Sequence, residues 1–234
     1  MKTPEASAIA YRTFEDYIHF IKRFPEVQFI TATEAARLYR DRARGRGFTP
    51  VELKAIAQSV TDDVTFFRNG ELALSASEMF LLLNDYVAQR AAGNTPPAIE
   101  LGLSPLGPTG AIPVLSEAVT ADASQFGRTT ADVADFIRKQ GRIPSVVWLG
   151  STGVPPEVYL RSLAQMASLL LEDKPFPETI TLPPAKLAAA KHVADDAPNL
   201  WGWVIFPRGF RAPAMMELAK RQAWTLKPAM LRAE

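Results

Sequence analysis

Residues 145–171 read SVVWLGSTGVPPEVYLRSLAQMASLLL, and no other stretch of the 234-residue chain constrains its fold as much. A short apolar run, Val146, Val147, Trp148 and Leu149, meets a turn containing Gly150 and Gly153. Pro155-Pro156-Glu157 then opens a helix carrying Val158, Tyr159, Leu163, Met166 and Leu170. A similar order occurs at 66–87, where an apolar run meets Asn69-Gly70 and Ser75-Ala76-Ser77-Glu78 opens a helix. It occurs again at 203–223, where WVIFP meets Arg208-Gly209 and Ala212-Pro213 opens the last helix. Recurrence of one supersecondary unit marks a repeat architecture, because each unit needs neighbours to bury its apolar face. The expected fold is mainly α with short β segments (α+β), built from repeated helix–short strand–turn–helix units. These units lie near 49–92, 129–172 and 183–228 of a module spanning 48–234.

Residues 1–47 read differently. TFEDYIHFIKRF (13–24) places Phe14, Tyr17, Ile18 and Ile21 on one helical face, with Thr13 as N-cap and Pro25 as the stop. Val27 to Ile30 then read as a short buried strand. Thr31-Ala32-Thr33-Glu34 is a capping box opening a second helix. Arg37, Arg40, Arg42, Arg44 and Arg46 follow, either as cations near a helix C-terminus or as an anionic-ligand patch. Gly45 and Gly47 mark a domain boundary.

The helix starts are written in full. Thr49-Pro50-Val51-Glu52 and Ser75-Ala76-Ser77-Glu78 each give a cap and an acid three residues on. Gly93 ends one helix, and Gly141 ends the helix over 130–140. Prolines 96, 97, 105, 108 and 113 punctuate 94–128, read as an ordered crossing loop with a short helix near 114–120. Leu182-Pro183-Pro184 reads as the start of another helix reaching about 195.

Chemistry is legible mostly by exclusion. A chain without cysteine has no disulfide, thiolate metal site or cysteine nucleophile. The two histidines, His19 and His192, stand in no metal-binding spacing, so no metal site and no cofactor is expected. Gly-x-Ser-x-Gly, phosphate-loop and dinucleotide motifs do not occur. A formal charge of +1 gives no field that would draw nucleic acid. No apolar run approaches the ~18 residues of a membrane span, and the first residues lack the pattern of a signal peptide. Asp62-Asp63 and Asp195-Asp196 are paired carboxylates, but neighbours on a helix point about 100° apart, and a solvated face explains them. No catalytic residue is expected, and nothing in the sequence sets an oligomeric state.

The candidate ligand-binding residues are Trp148, Tyr159, Trp201, Arg208 and Arg211, aromatic and basic side chains near the turns of the second and third units. A flat ring beside polar groups holds a sugar by stacking on its CH face while hydrogen bonds take the hydroxyls. In Trp201-Gly202-Trp203 the two rings share a parity, so an extended segment sends both to one side, toward the core.

Two segments resemble known families. FEDYIHFIKRFPEVQFITATEAARLY resembles the closing helix, strand and helix of a polysaccharide deacetylase (NodB homology) domain. The second is ADVADFIRKQGRIPSVVWLGSTGVPPEVYLRSLAQM, with Gly141-Arg142-Ile143-Pro144, Val146 to Leu149 and Val154-Pro155-Pro156-Glu157. It resembles the pseudomurein-binding repeat and its bacterial relatives. The deacetylase's N-terminal Asp-Asp motif and His-x-x-x-His pair have no counterpart here, and Asp62-Asp63 lies on the wrong side of the resemblance, so the likeness implies the tail of such a protein, beginning after its catalytic core. Together they imply a non-catalytic accessory module that binds cell-wall polysaccharide or peptidoglycan in the cell envelope. The alternatives are a divergent deacetylase or fragment of one, and a structural or interaction module without a small ligand.

Overall fold

The computed structural model describes residues 3–203 and 205–231. The chain divides into two compact units, one reaching Arg40 and including Leu231, the other Asp41–Met230.

The first unit holds α1 (Pro4–Ile21) and α2 (Ala32–Leu38). Helix α1 is capped ten residues before the expected Thr13. Thr3 caps it, accepting a hydrogen bond from the Ala6 N–H at 3.2 Å, with Pro4 at the first helical position. Thr13 lies inside the helix, and its hydroxyl donates to the Ile9 carbonyl at 2.9 Å. The capping box of α2 forms as read: Glu34 accepts from the Thr31 N–H at 2.6 Å, and Thr31 Oγ1 accepts from the Glu34 N–H at 3.2 Å. The expected strand at Val27–Ile30 does not form, and those residues are exposed. A strand needs a partner ladder, and no described segment supplies one here. No residue of α1 is buried, so the face carrying Phe14 and Tyr17 is open rather than internal.

The second unit is mainly helical, with its short strands paired two at a time. Its elements are β1 (Gly47–Phe48), α3 (Pro50–Ser59), β2 (Asp63–Val64), β3 (Phe67–Asn69), β4 (Leu72–Leu74), α4 (Ala76–Ala91), β5 (Ile99–Glu100) and β6 (Val119–Asp122). There follow α5 (Ala123–Gln140), β7 (Val147–Leu149), β8 (Thr152–Val154), α6 (Pro156–Leu171), β9 (Thr179–Leu182), β10 (Lys186–Leu187) and α7 (Pro213–Gln222). Among the described residues no helix is long and apolar enough to cross a membrane.

Two stretches repeat one design. In α3–β3–β4–α4 a two-strand antiparallel hairpin joins the helices, and α5–β7–β8–α6 does the same. Phe67↔Leu74 and Asn69↔Leu72 in the first hairpin match Val147↔Val154 and Leu149↔Thr152 in the second. Each turn begins with a glycine of positive φ, Gly70 at 58° and Gly150 at 64°, a region other residues enter at a cost. The capping boxes at Thr49–Glu52 and Ser75–Glu78 form as the sequence predicts. Gly141 ends α5 in the left-handed conformation. Helix α4 packs against α5 and α6, and α3 against α6, so the two copies interlock around α4. Hence α4 is buried on nearly every side, from Ala76 through Leu83.

The third expected copy departs from this design. Over 183–195 the anticipated helix is replaced by β10 and a 3-10 turn, Ala188–His192. The prolines at 183 and 184 hold an extended backbone. Strand β10 then runs parallel to β2, with the Lys186 N–H donating to the Asp62 carbonyl at 2.8 Å. The expected short helix at 114–120 is likewise absent. Strand β6 lies there instead, antiparallel to β9, and Asp122 caps α5 by accepting from the Gln125 N–H at 2.7 Å. Both errors have one cause: the partner strands are distant in sequence, and pairing overrides local propensity.

Candidate functional site

The polypeptide between the 3-10 turn and α7 is organised by one carboxylate, Asp196. It accepts from Trp201 Nε1 at 2.6 Å, from Arg211 Nε at 3.1 Å and from the Ala212 N–H at 3.4 Å. Arg211 Nη2 also donates to the Asp196 carbonyl. Burial pushes this carboxyl up, but the donors from Trp201, Ala212 and Arg211 outweigh it and hold the group below its usual range. Asp196 therefore fixes the indole of Trp201 and pins both ends of the loop.

On that base three rings pack together. Trp201 meets Phe206 edge-on at 5.0 Å and Phe210 at 5.1 Å, and Phe206 stacks on Phe210 at 4.9 Å. The rings line an open cavity of about 340 Å³ with Trp203 and Arg208. The segment is not extended, because a second 3-10 turn spans Pro198–Trp201, so the shared parity of the two tryptophans does not operate. Trp201 is half-buried, whereas Trp203 is 73% exposed and not in the core. Arg208 is exposed beside Gly209, with no hydrogen-bond or ion-pair partner among the described residues. Val204, part of the apolar run, lies outside the described residues.

The structure thus brings Trp201 and Arg208 into one pocket and places Arg211 beneath it as a support on Asp196. Trp148 is not among the residues lining it. That ring stands on β7, 62% exposed, lying over Gly153 of the paired strand. Tyr159 is a correction: its side chain is fully buried in α6, with its hydroxyl donating to Asn84 Oδ1 at 3.0 Å, and it cannot touch a surface ligand. Helical spacing had put Tyr159 on the same face as Leu163 and Met166, and that face is the core.

Other candidates lie elsewhere. Asp63 pairs with Lys186 at 3.2 Å and Asp195 with Lys220 at 2.7 Å, as surface ion pairs. Among the described residues no group of three His, Asp or Glu side chains stands close enough to hold a metal ion.

Neither a family model, nor a curated protein, nor a solved structure matches this chain. The site is accordingly read from its own chemistry.

One titratable group escaped sequence reasoning. Glu157 opens α6, where an acidic residue is ordinary, and nothing local marks it as buried. Its Oε2 is enclosed without a hydrogen-bond partner among the described residues. Burial pushes its carboxyl up to about 7, and its own backbone N–H offsets little of that. The folded protein therefore holds a proton that the unfolded chain, with an ordinary Glu near 4.5, has already released. Stability falls as pH rises through that window and is lower above pH 7 by about 3 kcal/mol at most. Glu157→Gln removes this term. In urea unfolding, its advantage over the parent chain is expected to be small at pH 5 and to grow to about 2–3 kcal/mol at pH 8.5. An advantage independent of pH would show that the carboxyl is solvated.

Proposed function

We propose that the Asp41–Met230 unit is a non-catalytic binding module for cell-wall glycan or a peptidoglycan-like polymer, accessory to a polysaccharide deacetylase-like protein. The observation that carries this reading is Trp203, a large exposed ring held beside a packed aromatic cluster and an unpaired arginine. Exposing an indole costs hydrophobic free energy, so a ring 73% open on a braced loop is placed to cover something else. A sugar ring presents CH groups to such a face and hydroxyls to Arg208. The resemblance of 131–166 to the pseudomurein-binding repeat points to the same class of ligand. The rigid bracing by Asp196 favours it further, because a preformed platform loses less conformational entropy on binding.

Co-sedimentation with insoluble peptidoglycan and with chitin tests the reading. The parent chain is expected in the pellet. Trp203→Ala is expected to weaken binding by about 1–3 kcal/mol, roughly 5- to 150-fold, while leaving the urea unfolding midpoint unchanged. Absence of the parent chain from both pellets at low and high salt would end the proposal.

A further inference from the structure

The turn that carries Trp203 offers a ligand hydrogen-bond donors and hardly any acceptors. Its open cavity of about 340 Å³ is lined by Trp201, Trp203, Phe206, Phe210 and Arg208, and otherwise by proline and glycine. None of these side chains carries an oxygen atom. The carboxylate that braces the loop, Asp196, is already spent on Trp201 Nε1, Arg211 Nε and the Ala212 N–H. Two of the backbone carbonyls are taken as well: that of Trp203 accepts from the Phe206 N–H, and that of Pro207 from the Phe210 N–H, each at 3.0 Å. What stays available is the guanidinium of Arg208, exposed and without a partner among the described residues, beside the 73% exposed ring of Trp203.

That inventory discriminates among sugars. A hydroxyl donates as well as accepts, and here its donor finds no side-chain acceptor to replace the water it gives up. An oxyanion only accepts. Its paired oxygens match the planar fork of a guanidinium, and such charge-assisted bonds are about twice as strong as neutral ones. The ring that bears the acid still lays its CH face on an indole. Nothing acidic lines the cavity to repel an anion, and the two carboxylates before the turn are neutralised, Asp195 by Lys220 and Asp196 by Arg211. A cationic sugar meets the opposite situation, an unpaired positive charge with no acceptor beside it.

We propose that the turn reads an acidic sugar, whose oxyanion pairs with Arg208 while the ring that carries it stacks on Trp203. The assignment rests on the glycan reading above and narrows it to polymers bearing a uronic carboxylate or a sugar phosphate. Trp203 supplies contact area for any sugar, and Arg208 supplies the preference for acid. Arg211 takes no part in that preference, because Asp196 holds it.

The test follows the indole N–H signal of Trp203 in nitrogen-15 correlation spectra of the full chain, assigned by its disappearance in Trp203→Phe. Tetragalacturonate and its methyl ester present the same rings with and without the charge. At low salt the acid is expected to shift the signal saturably and to bind at least about tenfold more tightly than the ester, and high salt is expected to erase the difference. Arg208→Gln, a change on an exposed side chain, is expected to bind acid and ester alike. Glucose 6-phosphate measured against glucose separates the two sources of the oxyanion: a preference larger than that between acid and ester assigns it to a phosphate, a smaller one to a carboxylate. Equal binding of acid and ester by the parent chain overturns the proposal and leaves the glycan reading standing. A preference that survives in Arg208→Gln overturns the role of Arg208. An unmoved Trp203 signal with every probe overturns the proposal too, and the pelleting assay then decides the glycan reading by itself.

Discussion

Lys227→Met is expected to lower the stability of the protein by about 3–5 kcal/mol, because it strips the countercharge from a buried carboxylate. Glu78 is 1% exposed in the first turn of α4. It accepts from the Ser75 N–H at 2.8 Å, from Ser104 Oγ at 2.7 Å and from Lys227 Nζ at 2.8 and 3.0 Å. The capping box alone would satisfy an exposed glutamate. Here the loop at 104–105 and the segment after α7 close over it, and only the ammonium group neutralises its charge. The same Nζ holds Asp41 at 2.9 Å. Asp41 is pushed up by burial, but the Ala43 backbone N–H and Lys227 outweigh that and hold it below the usual range. Losing Lys227 also removes one of the ties between the segment after α7 and α4. The double variant Glu78→Gln/Lys227→Met is expected to recover a good part of the loss, since neither partner is then a lone buried charge. Urea midpoints of the four chains in the cycle measure it. A single-variant cost under 1 kcal/mol would mean that the carboxylate is solvated after all.

Tyr159→Ala is expected to cost about 4 kcal/mol, and Tyr159→Phe about 1–2 kcal/mol. The ring lies between Phe80 at 5.5 Å and Phe126 at 5.3 Å, and so joins α4, α5 and α6. Its hydroxyl donates to Asn84 Oδ1 at 3.0 Å, and Asn84 Nδ2 donates in turn to the Thr130 carbonyl at 2.9 Å. Burial, helped by the charge of Asp132, holds the phenol well above its ordinary pKa, so it stays a neutral donor at every working pH. Truncation to alanine opens a cavity at the junction of the two hairpin units and leaves Asn84 half-satisfied in a dry core. The phenylalanine variant isolates the second effect. Equal costs for the two variants would show that the hydrogen bond, not the ring, carries the junction. A small cost for both would place the mechanical centre of the core elsewhere.

How much could be read from the chain depends on the range of the interaction. Thr31, Thr49 and Ser75, each with a glutamate three residues on, specify helix starts through bonds that close within four residues, and all three form. Gly70, Gly141 and Gly150 mark turns that need positive φ, and all three have it. Strand pairing across long separations was not legible. Residues 27–30 look like a strand but find no partner, while 119–122, read as the end of a short helix in a crossing loop, pairs with 179–182, a stretch given no strand in the sequence. The candidate site shows the same division. Aromatic and basic residues of the last third were visible as a group, and Trp201 and Arg208 do share a pocket. Asp196, which builds that pocket, had read only as a surface charge. Tyr159 had read as a ligand-facing ring because amphipathic spacing gives a face without saying what covers it.

The sequence by itself determined the capped helix starts at Thr31, Thr49 and Ser75, the turn glycines, the mainly α character and the recurrence of a helix–hairpin–helix unit. All of these rest on bonds and torsions local to a few residues. The tertiary structure alone decided that two such units interlock around α4, that the third stretch breaks the pattern, and that Trp203 faces outward while Tyr159 faces inward. It also decided that Glu157, an ordinary acid at a helix start, buries a carboxyl oxygen with no partner among the described residues. Burial and charge pairing are sums over neighbours brought from far along the chain, and no local pattern of residues encodes them.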